Sequence, residues 1–348
     1  MKKILALFIL SILLLGCNKK TENKAEDLSS KLKVDTTQIK TVPLDNPNVN
    51  FSIHYKFQKG QTYHYRLASF TDEKKSFKAD SLITQAVKQS IIYLADIKLN
   101  DIDKDGVMEF SCNIPSILMN AIANGQVLNY QSGKTKDSTE LKNYAQYESL
   151  INNPFSLRVG KNGGILEIFR ADKIVDRFLQ LQKAPPTVSN EQKEGLRNNI
   201  TQEELKPLLI QIFREMPSNT LMKDSSWANP QQESQFLIFK LQNTNLFKIT
   251  GLEKYGSDTL AAIDAGLKSI VSGDTKYEEH GTKVNFKRPQ PTASGTIYFN
   301  LTKGCIQKSN VKTQVNISYT MEGPSPKGRM QKGLITDNVN SSNILELL

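Results

Sequence analysis

Alternation of apolar and polar residues with a period of two recurs along this chain from residue 51 almost to its end, and nothing else in the sequence narrows the fold as much. Phe51, Ile53, Tyr55 and Phe57 alternate with Ser52, His54, Lys56 and Gln58; after a Lys59-Gly60 turn, Tyr63, Tyr65 and Leu67 alternate with Thr62, His64 and Arg66. Successive strand side chains point to opposite faces, so this pattern predicts a β-hairpin with one aromatic face. Ser81 to Asn100 carries Ile91, Ile92, Tyr93, Leu94, Ile97 and Leu99. It turns through the Asp-rich 101–106 into Val107 to Ile114, where Met108, Phe110, Cys112 and Ile114 share a face. A third hairpin is expected from Phe155–Val159 and Gly164–Phe169, parted by Gly160-Lys161-Asn162-Gly163 with its Asn-Gly turn signal. The polar stretch Asn129 to Asn153 reads mostly as loop.

The middle of the chain changes period. Asp172 to Leu181 spaces Ile174, Val175, Phe178 and Leu181 as one helical face, and Pro185-Pro186 stops it. Thr201 and Glu204 form a capping-box signature ahead of Leu205, Leu208, Leu209, Ile212 and Phe213, with Pro217 beyond. Strand patterns resume after Trp227: Gln235–Leu241, Leu246–Leu252, Thr259–Val271, Thr282–Phe286, Ala293–Leu301, Ile306–Met321 and Met330–Val339. Leu260–Leu267 is Ala-rich enough for a helix, but the flanking turn and long strands place it in the meander. Lys303-Gly304 is read as a tight hairpin turn. The predicted fold is α+β: a mainly antiparallel, strongly curved sheet, a meander or half-barrel, with a central pair of amphipathic helices as an insert at about 171–216.

The N-terminus belongs to a different class of signal. Met1-Lys2-Lys3 is basic, Ile4 to Leu15 is apolar, and Leu14-Leu15-Gly16-Cys17 closes the run. About a dozen apolar residues are too few for the ~20 that span a bilayer, so residues 1–16 read as a lipoprotein signal peptide and Cys17 as the lipidated mature N-terminus. Several acyl chains, at ~0.8 kcal/mol per buried methylene, would hold the protein to a membrane. Asn18 after Cys17, rather than Asp, leans toward the outer membrane, with the periplasmic or surface face left open. Residues 18–50 are rich in Lys, Glu, Asp, Ser, Thr and Asn and nearly free of aromatics, so 17–50 is expected to be a lipidated, disordered tether and 51–348 the domain.

Without Lys2 and Lys3, 43 basic residues (45 − 2) face 35 acidic ones, a net +8 on the mature chain. The basic residues are scattered among acids and form no block interleaved with aromatics. Nucleic acid is therefore not an expected partner, and a solvated surface facing anionic envelope components fits the compartment.

Several of these features carry a resemblance. The spacings Tyr55-Lys56-Phe57 … Gly60 … Tyr63-His64-Tyr65, Asp103-Lys104-Asp105-Gly106, Gly163-Gly164-Ile165, Met216-Pro217 … Lys223-Asp224-Ser225-Ser226-Trp227 and Gly295 … Tyr298-Phe299-Asn300 … Lys303-Gly304 resemble a family of uncharacterised Gram-negative lipoproteins over most of 51–340. That resemblance brings no catalytic residues with it. More coarsely, long curved antiparallel strands over helices resemble the half-barrel lipoprotein carriers of the LolA/LolB-like fold, which implies an apolar cavity for acyl chains.

Residues that carry chemistry point away from catalysis. Asp101-x-Asp103-x-Asp105-Gly106 matches the first half of an EF-hand loop, but its twelfth position is Cys112 where a bidentate Glu is needed, so a hairpin turn is favoured over weak Ca²⁺ binding. His54 and His64 are expected opposite one another on the polar face, with His280 far off, one ligand short of a catalytic zinc site. Cys112 and Cys305 are expected as unpaired thiols, and no serine lies in a hydrolase motif. No metal, cofactor or catalytic residue is predicted. The expected function is non-enzymatic binding of a hydrophobic ligand or envelope component in the hollow of the curved sheet. Tyr55, Phe57, Tyr63, Tyr65 and Trp227 are its candidate lining, although Trp227 fits better as an aromatic closing one end of the core. The alternative is an interaction module that docks a protein or glycan partner.

Overall fold

The computed structural model describes residues 31–44, 49–135, 137–185, 187–324 and 330–348. The signal and Cys17 lie outside the described residues. In chain order the first elements are β1 (Val42–Pro43), β2 (Thr62–Lys78), β3 (Leu82–Ile102), β4 (Met108–Ala123), β5 (Gln126–Gln131), α1 (Ser138–Asn143), α2 (Ala145–Glu148), β6 (Phe155–Val159) and β7 (Ile165–Phe169). Then come α3 (Asp172–Leu181), α4 (Asn190–Asn199), a π-helical turn (Ile200–Leu205) and α5 (Lys206–Ile212). β8 (Ser226–Pro230), β9 (Ser234–Phe236), β10 (Phe239–Tyr255), β11 (Asp258–Ser272), β12 (Lys276–Glu279), β13 (Thr282–Lys287), β14 (Thr292–Asn300), β15 (Cys305–Pro324) and β16 (Met330–Leu347) complete the chain.

These strands make one antiparallel sheet in the order β1-β10-β11-β14-β15-β16-β2-β3-β4-β6-β7, with the remaining short strands attached at its margins. The mostly antiparallel, curved sheet with few helices is the architecture expected from the alternation. Its inner face carries Tyr63, Tyr65 and Leu67 of β2 and their β3 partners Ile97, Ala95 and Tyr93. That face continues over β4, β11, β14 and β16 as Phe110, Ile263, Ile297 and Leu345, all buried against Ile174, Leu205, Leu209 and Phe213 of the helical region. The sheet thus curls round the helices at the end of the long strands where β2 begins and β16 ends. We call this end the base and the opposite end the tip.

Four local expectations change in the structure. Phe51–Gln58 is extended and buries Ile53 and Phe57, but among the described residues its backbone pairs with backbone groups outside its own turn only through a bridge from Phe51 to Leu221 and a 2.9 Å bond from the Lys56 N–H to the Gly304 carbonyl. It forms no hairpin with β2 because β16 and β3 already occupy both edges of β2. The expected 129–153 loop holds the end of β5 and two short helices; Tyr130, Tyr147 and Leu150 are buried there, and the Asp137 carboxylate caps α1 by accepting from the N–H groups of Thr139 and Glu140.

The helical region begins its second part earlier than expected. Ser189, not Thr201, forms the capping box: its Oγ accepts from the Gln192 N–H at 3.2 Å, and the Gln192 side chain accepts from the Ser189 N–H at 2.9 Å. Thr201 sits inside the π-helical turn, its hydroxyl donating to the Asn198 carbonyl, and Pro207, with no N–H to give, lies in the first turn of α5.

The last change concerns the tether, whose described part is bound to the sheet. On the outer face, Leu32 is buried against Ala68, Ile92, Leu94 and Ile344, and Ile39 packs on Leu260, Ala262 and Tyr298. Val42 and Pro43 then pair with Lys254 and Glu253 of β10. Residues 32–44 therefore form a strap that crosses the outer face from β3 to β10. Composition suggested disorder; two well-spaced apolar side chains, Leu32 and Ile39, are enough to dock the strap where a complementary surface exists.

Candidate functional site

The expected aromatic hollow at the base is filled. Phe57 meets Tyr63 edge-on at 4.6 Å, Phe110 at 5.2 Å and Phe213 at 5.6 Å, while Tyr55 meets Phe299 edge-on at 5.3 Å. The Tyr55 hydroxyl donates to the Arg214 carbonyl at 2.9 Å and accepts from the Arg214 N–H at 2.8 Å, which ties the segment to the chain just beyond α5. Burial pushes its pKa above the ordinary tyrosine value. The space left between Leu67, Tyr93, Phe155 and Leu209 is about 10 Å³, no more than a single water needs. Tyr55, Phe57, Tyr63 and Tyr65 are core residues here and line no open hollow. Trp227 pairs with Phe247 across β8 and β10 and stacks on it at 5.2 Å, at the margin of the core.

An open cavity of about 840 Å³ lies on the other face, beyond the strap. Its geometry follows from the strand register. Phe70 of β2 pairs with Ser90 of β3 and Ser342 of β16; Ser90 pairs with Asn120 of β4, and Ser342 with Lys312 of β15. One step toward the tip on the same face, Asp72 pairs with Lys88 and Asn340, and these continue to Ile122 and Gln314. The cavity is the trough between these two rows. It runs across seven strands from β5, which adds Val127, to β14, which adds Ser294 and Thr292. At ~4.8 Å between strands, seven strands give a length of ~29 Å. The twist of long strands lets a sheet that closes round helices at its base open into a hollow on the opposite face further along.

The trough is chemically uneven. At β4 and β5, Ile122 and Val127 stand exposed, and Phe70 packs at the centre against the cluster under Leu32. Lys88 and Asp72 pair with each other at 3.5 Å. At β15 the side chains are Lys312 and Gln314, flanked by Asn340, Ser342 and Ser294. Beyond Lys312 the trough meets a smaller hollow of about 230 Å³ whose far wall is Thr37 and Gln38 of the strap. The sequence hides this site because its lining is the polar half of the alternation, which reads as solvent-facing.

A third hollow, about 630 Å³, sits beside the Asp-rich turn. Its charges are committed locally. The Asp103 carboxylate accepts from the N–H groups of Asp105 and Val107 at 2.9 Å each, Lys59 holds Asp101 at 2.7 Å, and Arg158 bridges Glu109 and Glu167. His64 is paired with Asp96 at 2.7 Å and does not face His54. Cys112 and Cys305 are buried and unpaired; burial pushes the Cys305 thiol up to about 11 and Cys112 further still.

A profile of a family described as being of unknown function, DUF6263, matches residues 105–306. No curated protein matches the chain in sequence. Among solved structures, one of lipid–protein interactions in lipovitellin is 13% identical, with a TM-score of 0.38, over 84% of this chain and 25% of the other. The chain thus spans about a quarter of that protein's length. An outer membrane channel from Pseudomonas putida F1 is 7% identical with a TM-score of 0.20, over 84% of this chain and 97% of the other. Likenesses this distant carry no argument about what the chain binds.

Proposed function

Because the chain belongs to the DUF6263 family, which is of unknown function, we propose a function from the residues of this chain alone. The protein is a lipoprotein anchored through Cys17, on the Gram-negative outer membrane, and it binds an elongated hydrophobic or amphipathic molecule without chemical turnover. The observation that carries this reading is the 840 Å³ trough, a size within the ~300–1,000 Å³ of ligand sites, with Phe70, Ile122 and Val127 open to it. The strap adds support: it leads back toward Cys17 and borders the trough, so the ligand site sits close to where the anchored segment joins the domain.

The filled core favours the second reading, a module that docks a protein or glycan partner, over a carrier with its cavity inside the curl. The two are separated by one experiment. The purified full chain should take up a fluorescent long-chain fatty-acyl probe saturably at micromolar concentration. Ser90→Trp, which places an indole in the trough, should weaken uptake at least ~tenfold with an unchanged melting temperature. Uptake that is absent, or linear and insensitive to Ser90→Trp, leaves the interaction module as the function.

A further inference from the structure

The ligand of the trough has a direction, and that follows from how the trough's residues are distributed along it. This step rests on the binding function proposed above. Val127 is 62% exposed and Ile122 49%, an unusual outlay for large aliphatic side chains on adjacent strands. Phe70, two strands on from Ile122 and one step toward the base, adds a third apolar side chain at the centre of the sheet; β3 between them contributes Ser90 and Lys88, whose charge Asp72 pairs. From β5 to β2 is three strand spacings, or ~14 Å, close to the ~15 Å depth that one acyl tail fills in half of a ~30 Å hydrocarbon core.

Beyond β2 the character changes. Lys312 lies two strand spacings further, ~10 Å, in the same row as Phe70. Its ammonium group makes no ion pair among the described residues, whereas the other lysine of the trough, Lys88, is neutralised by Asp72. Gln314, Asn340 and Ser342 surround it with amide and hydroxyl groups. Among the described residues only the short β5 of the seven strands lacks a second partner, so apart from that margin the trough offers no free sheet edge to an extended peptide, which would also have to lie across the strands.

We infer that the trough takes an anionic amphiphile, its tail over Val127, Ile122 and Phe70 and its carboxylate or phosphate head at Lys312. The head adds a charge-assisted hydrogen bond at one end, and the apolar contacts set the other, so the molecule enters in one orientation only.

The test compares a long-chain fatty acid with the fatty alcohol of the same length, on the full chain and two surface variants. Lys312→Glu should weaken the acid by about tenfold or more and leave the alcohol within about twofold, since one charged hydrogen bond is worth ~1.5–3 kcal/mol. Val127→Asp should weaken both. Loss of acid binding should shrink as salt is raised in the wild-type comparison, because the added ions screen Lys312. If Lys312→Glu changes both ligands alike, or neither, the head is not at Lys312 and this inference fails while binding in the trough stands. If neither ligand binds the wild-type chain saturably, the proposed function fails first and takes this inference with it.

Discussion

Arg66 and Glu346 face each other across β2 and β16 and are joined by a 2.7 Å ion pair, both side chains only about a tenth exposed beneath the strap. Glu346 also holds Lys308 at 3.2 Å, and Lys308 in turn reaches Asp35 of the strap at 3.2 Å, while Arg66 donates to the Lys31 carbonyl. Four charges thus fasten an N-terminal segment to a sheet face that would otherwise be open.

Removing the carboxylate at the centre should therefore be costly. Glu346→Ala leaves the nearly buried Arg66 without an anion and Lys308 with only the exposed Asp35, and breaking a buried pair in this way costs ~3–5 kcal/mol. Urea unfolding should show an unfolding free energy lowered by that amount; a change below ~1 kcal/mol would mean that solvent already compensates the pair.

The outer end of this network responds to pH. Hydrogen bonds from the Thr37 hydroxyl and N–H, with Lys308 beyond, lower the Asp35 carboxyl from 3.8 to about 2. A depressed folded-state pKa means that the carboxylate's contribution is complete above about 4 and is lost as pH falls through about 2. Amide protection in residues 32–39, taken against the intrinsic exchange rate at each pH, should hold at pH 5 and fall between pH 4 and 2. Asp35→Asn should remove that dependence, and an equally steep response in Asp35→Asn would place the titrating group elsewhere.

Tyr55 supplies both hydrogen-bond partners of the Arg214 backbone. In Tyr55→Phe a buried N–H and a buried carbonyl lose their partner, a loss of ~1–3 kcal/mol for groups that cannot reach water. Chemical denaturation should report it as a lower midpoint at unchanged slope. No effect would show that water replaces the phenol.

The anchor is tested separately from the fold. Cys17→Ser should move the protein from the detergent phase to the aqueous phase in a phase-partition assay, because the acyl chains can no longer be attached. Unchanged partitioning would remove lipidation from the proposed function.

The period-two alternation determined a good deal by itself. It located the long strands, including Leu260–Leu267 against its helical propensity, and it assigned Tyr63, Tyr65, Leu67, Phe110 and Cys112 to the buried face. Local turn chemistry did the same for the Lys303-Gly304 connection, where Gly304 has a φ of +67° and accepts the Lys56 N–H. These properties are local, fixed by side-chain size and backbone sterics within a few residues. Which face is filled and which is hollow is not local. Periodicity says that two faces differ, not which way the sheet bends. The bend here depends on Phe213 and its helix entering the aromatic face, on the strap choosing the other face, and on strand twist accumulating along β2, β3, β15 and β16. Only that tertiary arrangement turned Tyr55 and Phe57 from a candidate ligand surface into core, and made a trough of Phe70, Ile122, Val127 and Lys312, residues separated by up to about 240 positions in sequence and brought together by cross-strand pairing.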